Sequence, residues 1–139
     1  MMSSDFVIDN SIVMAWCFED ESTKYTDAVQ EMLINHRAFV PAIWPLEVAN
    51  VLLVAERIKR ISKADSGRFI ALLSQLPIEV GQSNPDRVFH DTLNLARQHK
   101  LSSYDASYLA LAIRMGLPIA SLDKAIIRAA KSIKIGILK

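Results

Sequence analysis

Apolar positions change their period several times along the chain, and each change marks an element. Phe6, Val7 and Ile8 form a short unbroken apolar run that ends at Asp9-Asn10-Ser11. From 12 to 18 the spacing turns helical, which predicts strand, turn, helix. A second helix is predicted over 23–34, a short strand over 38–41, and a long helix over 45–61. Pro45 falls in the first turn of that helix, where its missing N–H costs nothing. Residues 63–76 are amphipathic, 78–80 read as a strand, 85–98 as a helix, and 103–115 as another, stopped by Gly116 and Pro118. A strand over 118–122, a short helix from 123 to about 131, and a last strand over 135–138 complete the prediction.

Strands alternate with helices, and no Asn-Gly or Asp-Gly hairpin turn occurs. That order predicts an α/β three-layer sandwich, with helices on both faces of a mostly parallel central sheet. At 139 residues the expectation is one domain over 1–139. No repeat, low-complexity tract or Pro/Gly/Ser-rich linker divides it.

Composition narrows the class. Hydrophobic residues make up 51% of the chain and charged ones 22%, the balance of a compact fold rather than a disordered one. A mean hydropathy of +0.21 is high for so small a protein, so part of its apolar surface is expected to be covered by another subunit or partner. Residues 1–5 lack the charged and apolar regions of an export signal. The most apolar stretch, 48–55, carries Asn50 and is closed by Glu56 and Arg57. It is far short of the roughly 20 residues of a membrane span and reads as a buried helix. The single cysteine, Cys17, lies between Trp16 and Phe18 and suits a buried thiol. A cytoplasmic protein without membrane attachment is expected.

The net charge of +1 argues against holding nucleic acid by overall charge. The distribution is uneven, however. Arg57, Lys59, Arg60 and Lys63 form one basic cluster, and Arg114, Lys124, Arg128, Lys131, Lys134 and Lys139 another. Taken alone, each reads more readily as a solvated helix face than as a nucleic-acid track, and neither decides the function.

The acids carry more information. In an open parallel sheet, ligands bind at the carboxyl ends of the strands, where loops gather and helix N-termini point. Asp9 follows the first predicted strand, Asp123 follows the strand 118–122, and Glu47 opens the helix after the strand 38–41. These three share one edge. Asp105 lies in the first turn of its own helix but follows another helix, so pattern alone does not place it there. Each acid also has a purely structural role open to it. Asp9 and Asp123 fit helix N-caps, Ser102-Ser103-Tyr104-Asp105 fits a capping box, and Glu47 complements a helix dipole. Jointly they suggest more, because two unit charges about 4 Å apart repel by roughly 4 kcal/mol at an effective dielectric near 20. Such a group needs protons or a cation, and oxygen-only donors select Mg²⁺ or Mn²⁺ over Zn²⁺.

Four segments carry a family resemblance. Phe6-Val7-Ile8-Asp9-Asn10-Ser11 resembles the opening acid motif of the PIN-domain nucleases, specifically the VapC-type toxins of toxin–antitoxin pairs. Pro45-Leu46-Glu47-Val48-Ala49-Asn50-Val51-Leu52 resembles their helix-borne glutamate motif. The run from Ser103 to Ala112 is similar to the third-acid helix, and Ser121-Leu122-Asp123 to the fourth acid with its preceding hydroxyl. Asn10 is larger than the small residue expected after the first acid.

The resemblance implies a PIN-like fold and a Mg²⁺-dependent ribonuclease, with Mn²⁺ as a possible substitute. It brings Asp105 to the other acids, implies a cognate antitoxin covering the acidic edge, and implies a homodimer. On this basis Asp9 and Asp105 are expected to bind metal directly. Glu47 would bind metal or position the attacking water, and Asp123 would hold a second metal or act through water. Asn10, Ser121 and Asn50 are expected to support the site or touch substrate.

Rival chemistries have weaker footing. Ser121-Leu122-Asp123-Lys124 spells the S-x-x-K of penicillin-binding enzymes without its companion motifs. His36, His90 and His99 lack metal-ligand spacing, and four glycines form no phosphate-cradling loop. A receiver-like phospho-acceptor domain and a catalytically silent PIN-fold binding module are the remaining alternatives.

Overall fold

Phe6–Ile8 is buried on both faces, all three residues included, which explains an unbroken apolar run where a half-exposed strand would alternate. It forms β1 in the computed structural model, which describes residues 5–139; the expectation about an export signal concerns mainly residues 1–4, outside the described residues. β1 pairs in parallel with β2 (Ala38–Val40) on one side and β4 (Ile119–Ala120) on the other. β3 (Ile78–Val80) pairs in parallel with β2, giving the order β3-β2-β1-β4. The α/β class and the parallel sheet are as expected. The chain leaves β1 toward β2 and β3 and later returns to its other side with β4. The strand order therefore reverses at β1, and the crevice beyond its carboxyl end is the favoured ligand position in such sheets.

The helices are α1 (Asn10–Cys17), α2 (Lys24–Met32), α3 (Trp44–Arg57), α4 (Lys63–Gln75), α5 (Pro85–Arg87), α6 (Leu93–His99), α7 (Ser103–Met115) and α8 (Lys124–Ser132). Local chemistry sets their limits. Thr23 and Ser62 close reciprocal capping boxes at the starts of α2 and α4. Gly116, at φ +66°, ends α7 in the left-handed conformation that glycine adopts without strain. α7 lies against β1 and β4, and its Tyr108 and Leu109 are fully buried with Ile8, Ile119 and Ile126.

Several expectations require correction. The helix predicted over 45–61 starts at Trp44 and stops at Arg57, because Lys59 at φ 60° turns the chain left-handed. The stretch 48–55 is not a buried helix. Val48, Leu52 and Ala55 form the buried stripe, whereas Leu53 and Val54 are exposed, as on an amphipathic outer-layer helix. The helix expected over 85–98 is interrupted by a π-helical turn, Val88–Thr92, between α5 and α6. The last predicted strand contributes one parallel bridge, Ile119 with Ile137, since a left-handed Lys134 delivers the chain to the sheet edge only there.

Apolar surface is left uncovered, notably at Ile34, Leu46, Ile58 and Phe89, consistent with the high hydropathy. Among the described residues no helix is long and apolar enough to cross a membrane.

Candidate active site

Asp9 occupies the N-cap position of α1, yet its side chain makes no capping bond. It is 4% exposed. Its Oδ2 accepts hydrogen bonds from the Ser11 hydroxyl at 2.6 Å and the Ser121 hydroxyl at 2.9 Å. The capping role that the sequence left open for Asp9 is thereby excluded. Its backbone N–H donates to Ala120 O, so the residue is fixed between the ends of β1 and β4.

The two serines also join the loops that follow these strands. Ser11 Oγ accepts from Leu122 N at 3.0 Å, and Ser121 Oγ accepts from Asp123 N at 2.9 Å. Asp123 does cap a helix. Its Oδ1 accepts from Ala125 N and Ile126 N at the start of α8, so here the structural role is present.

The remaining acids stand on α3 and α7. Glu47 lies in the first turn of α3, and its Oε1 accepts a hydrogen bond from the Tyr108 hydroxyl. Asp105 lies in the first turn of α7, where its N–H donates to Ser102 Oγ. The reciprocal bond from the Ser102 N–H to the Asp105 carboxylate, which would complete a capping box, does not form.

Electrostatics link these positions. Burial pushes the Asp9 carboxyl up from its ordinary range; the two serine hydroxyls oppose this, and the charge of Asp123 adds to it. Burial raises Glu47 as well, against the Tyr108 hydrogen bond, and the charges of Asp9 and Asp105 raise it further. Asp105 is raised by burial first, then by the charges of Asp9 and Asp123, against a hydrogen bond with the Ser102 side chain. Asp105, which pattern alone could not place, thus lies within reach of the other acids. Among the described residues none of the four forms an ion pair.

Such a set of anions, all oxygen and without a neutralising cation, fits a hard divalent ion. Asn10 adds a buried Oδ1 with no hydrogen-bond partner beside Asp9. Among the described residues no three His, Cys, Asp or Glu side chains converge as a ready-made metal cluster. Mg²⁺ is commonly held by one or two carboxylates with water filling the other positions, a demand this donor set meets.

Other expected residues differ in outcome. Ser121 is buried at the centre of the arrangement. Asn50 is exposed, and among the described residues the partner of Glu47 is Tyr108 in its place. Arg60, from the first basic cluster, is bound to Asp20 and Glu21 and stacks over Phe18. Sequence reasoning missed Ser11 and Tyr108. A hydroxyl two residues after an acid, and a tyrosine three residues after Asp105 on the same helix face, were the available signals.

Comparison with known proteins adds an independent line. The sequence matches the model of the PIN domain over residues 6–132. Comparison with curated proteins returns no match. The fold is similar to the crystal structure of PAE2754 from Pyrobaculum aerophilum, with TM-score 0.68, 22% identity, and coverage of 92% of this chain and 87% of that one. It is similar to a toxin-antitoxin complex from Klebsiella pneumoniae, with TM-score 0.61, 17% identity, and coverage of 85% and 86%. It is also similar to VapBC2 from Rickettsia felis, bound to a DNA fragment from their promoter, with TM-score 0.64, 13% identity, and coverage of 97% of each chain. With the matched model spanning nearly every element of the described fold, the chain belongs to the PIN domain family.

Proposed function

We propose that this chain, folded as one domain over 1–139, is a divalent-metal-dependent endoribonuclease acting as the toxin of a toxin–antitoxin pair in the cytoplasm. The observation that carries the reading is the buried Asp9 carboxylate, held by two serines rather than by a cation and electrostatically coupled to Glu47, Asp105 and Asp123. Membership of a family of nucleases supports the reaction class. The toxin–antitoxin complexes among proteins of similar fold support a cognate antitoxin as partner, and the uncovered apolar surface supports a homodimer.

Asp9 and Asp105 would hold Mg²⁺ directly, with Mn²⁺ as a substitute, and Asp123 would offer the oxygen that does not cap α8. When bound, such an ion would supply the positive charge that polarises a phosphate and acidifies a water. Ser11 and Ser121 orient the Asp9 carboxylate. Glu47, held at Oε1 by Tyr108 and raised in proton affinity, accepts the proton of the attacking water. Oxygen adds to phosphorus, the bond to the ribose leaving oxygen breaks, and that oxygen takes up a proton. Asn10 Oδ1, buried and without a partner, would accept a hydrogen bond from a water in the site or from the substrate.

The test is cleavage of a mixed set of structured RNAs by the purified protein in Mg²⁺, Mn²⁺ or EDTA, beside Asp9→Asn and Asp105→Asn. Metal-dependent cutting lost in both variants is expected. Cutting retained by either variant would overturn the site, and metal binding without cutting of any RNA would favour a silent binding module.

A further inference from the structure

A cavity of about 340 Å³ opens beyond the carboxyl ends of β2 and β3, lined by the residues that follow them, Pro41 and Gly81 among them. Tyr104, one of its lining residues, immediately precedes Asp105, and Ile43, another, is the N-cap of the helix that carries Glu47. Helical spacing divides α7 between the two sites. Tyr104, Ser107, Leu111 and Arg114 line the cavity, while Asp105 and Tyr108 occupy the neighbouring face.

The lining matches one ligand chemistry. Tyr104 is 58% exposed and offers a ring to stack on, while Leu111 and Val88 supply apolar wall and Gln82 an amide. Arg87 and Arg114 also line the cavity, and neither forms an ion pair among the described residues, whereas Arg37, Arg60 and Arg68 each do. A second hollow of about 500 Å³ shares these two arginines, which places the free cations between two compartments. The π-helical turn Val88–Thr92 brings Val88 and Thr92 to the cavity, and such turns are frequent at functional sites.

We propose that this cavity is the subsite for an unpaired nucleotide of the RNA adjacent to the cleaved bond, its base stacked on Tyr104 and its phosphate between Arg87 and Arg114. The inference rests on the ribonuclease reading for its substrate. Recognition of single-stranded RNA by splayed, stacked bases is the common mode, and paired arginines supply the phosphate contact. The same subsite would give the enzyme a base preference on one side of its cut.

The experiment uses isotope-labelled full-length protein in EDTA, titrated with each of the four nucleoside monophosphates and with a short single-stranded RNA. Amide shifts at Tyr104, Ser107 and Arg114 are expected, with one monophosphate preferred. Tyr104→Ala should weaken RNA binding by about 5- to 100-fold, the loss of one base stack, and Tyr104→Phe should restore it. Ser107→Trp, which plugs the cavity, should abolish the shifts at an unchanged melting temperature. Should that variant fail to fold, Arg114→Gln on the exposed rim is expected to lower the salt dependence of RNA binding by roughly one unit of slope.

Absence of shifts with every probe, or RNA affinity untouched by Tyr104→Ala, would overturn the subsite; so would a plugged variant that lost only a protein partner. Because binding is read without metal, the two readings separate. Cutting without cavity binding removes the subsite alone, and cavity binding without cutting removes the nuclease alone.

Discussion

The hydroxyl of Tyr108, wholly buried in α7, donates to Glu47 Oε1 on α3 across 61 residues of sequence. Burial and the adjacent carboxylates push the phenol far above its ordinary range, so Tyr108 remains a donor at every working pH. Tyr108→Phe keeps the ring and removes the donor. A stability loss of about 1 kcal/mol is expected. Because the hydrogen bond lowers the Glu47 pKa, the acid limb of the rate profile should move to higher pH. A profile that stays in place in Tyr108→Phe would separate Glu47 from proton transfer.

Ser121 holds two groups at once, donating to Asp9 and accepting from Asp123 N–H. Ser121→Ala should weaken metal affinity by about 10- to 100-fold, as loss of an outer-shell partner does. Isothermal titration with Mn²⁺ measures it directly, and affinity equal to the parent's would remove Ser121 from the site.

Asp123 has two separable roles. Its Oδ1 caps α8, so Asp123→Ala should lose about 1 kcal/mol of stability, while Asp123→Asn keeps the cap. Thermal melts of both, set beside their cleavage rates, distinguish helix stability from chemistry. Lost activity in a normally stable Asp123→Asn assigns the carboxylate to the reaction.

The pH dependence of the metal-free protein follows from the sign of the shifts. Asp9, Glu47 and Asp105 are all raised by folding. The folded state therefore binds more protons than the unfolded chain between the ordinary and the raised values, and these groups make stability fall as pH rises through that window. Above the window the full cost persists. In EDTA at neutral pH, Asp9→Asn should melt higher than the parent, and the gap should close as the pH is lowered toward the ordinary aspartate value of 3.8. A variant less stable than the parent at neutral pH would contradict the cost assigned to the buried anion.

Local patterns foretold the local structure. The run Phe6-Val7-Ile8, the Pro45 helix start and the Gly116 stop are short-range signals, and the elements form where those signals lie. Errors arise where the deciding contact is remote or the backbone leaves regular geometry. Lys59 and Lys134 turn left-handed without glycine, and the partner of Glu47 is a tyrosine on another helix rather than Asn50 one turn away. Pattern alone put Asp9 and Asp123 after strands and Glu47 at the start of the helix following β2, all on one edge of the sheet. The place of Asp105 depends on how α7 packs against β1 and β4, which no periodicity encodes.

The bond between Ser121 and Asp9 spans 112 residues, and its consequence lies in the order of synthesis. Asp9 is synthesised 112 residues before Ser121, which supplies its second hydroxyl, and the flanking strand β4 and the neighbouring Asp123 are made at the same later stage. A nascent or truncated chain lacking 119–123 carries the first acid without the frame that orients it. The Asp9 carboxylate therefore acquires its second hydroxyl donor only once residues 119–123 have been made and folded against β1.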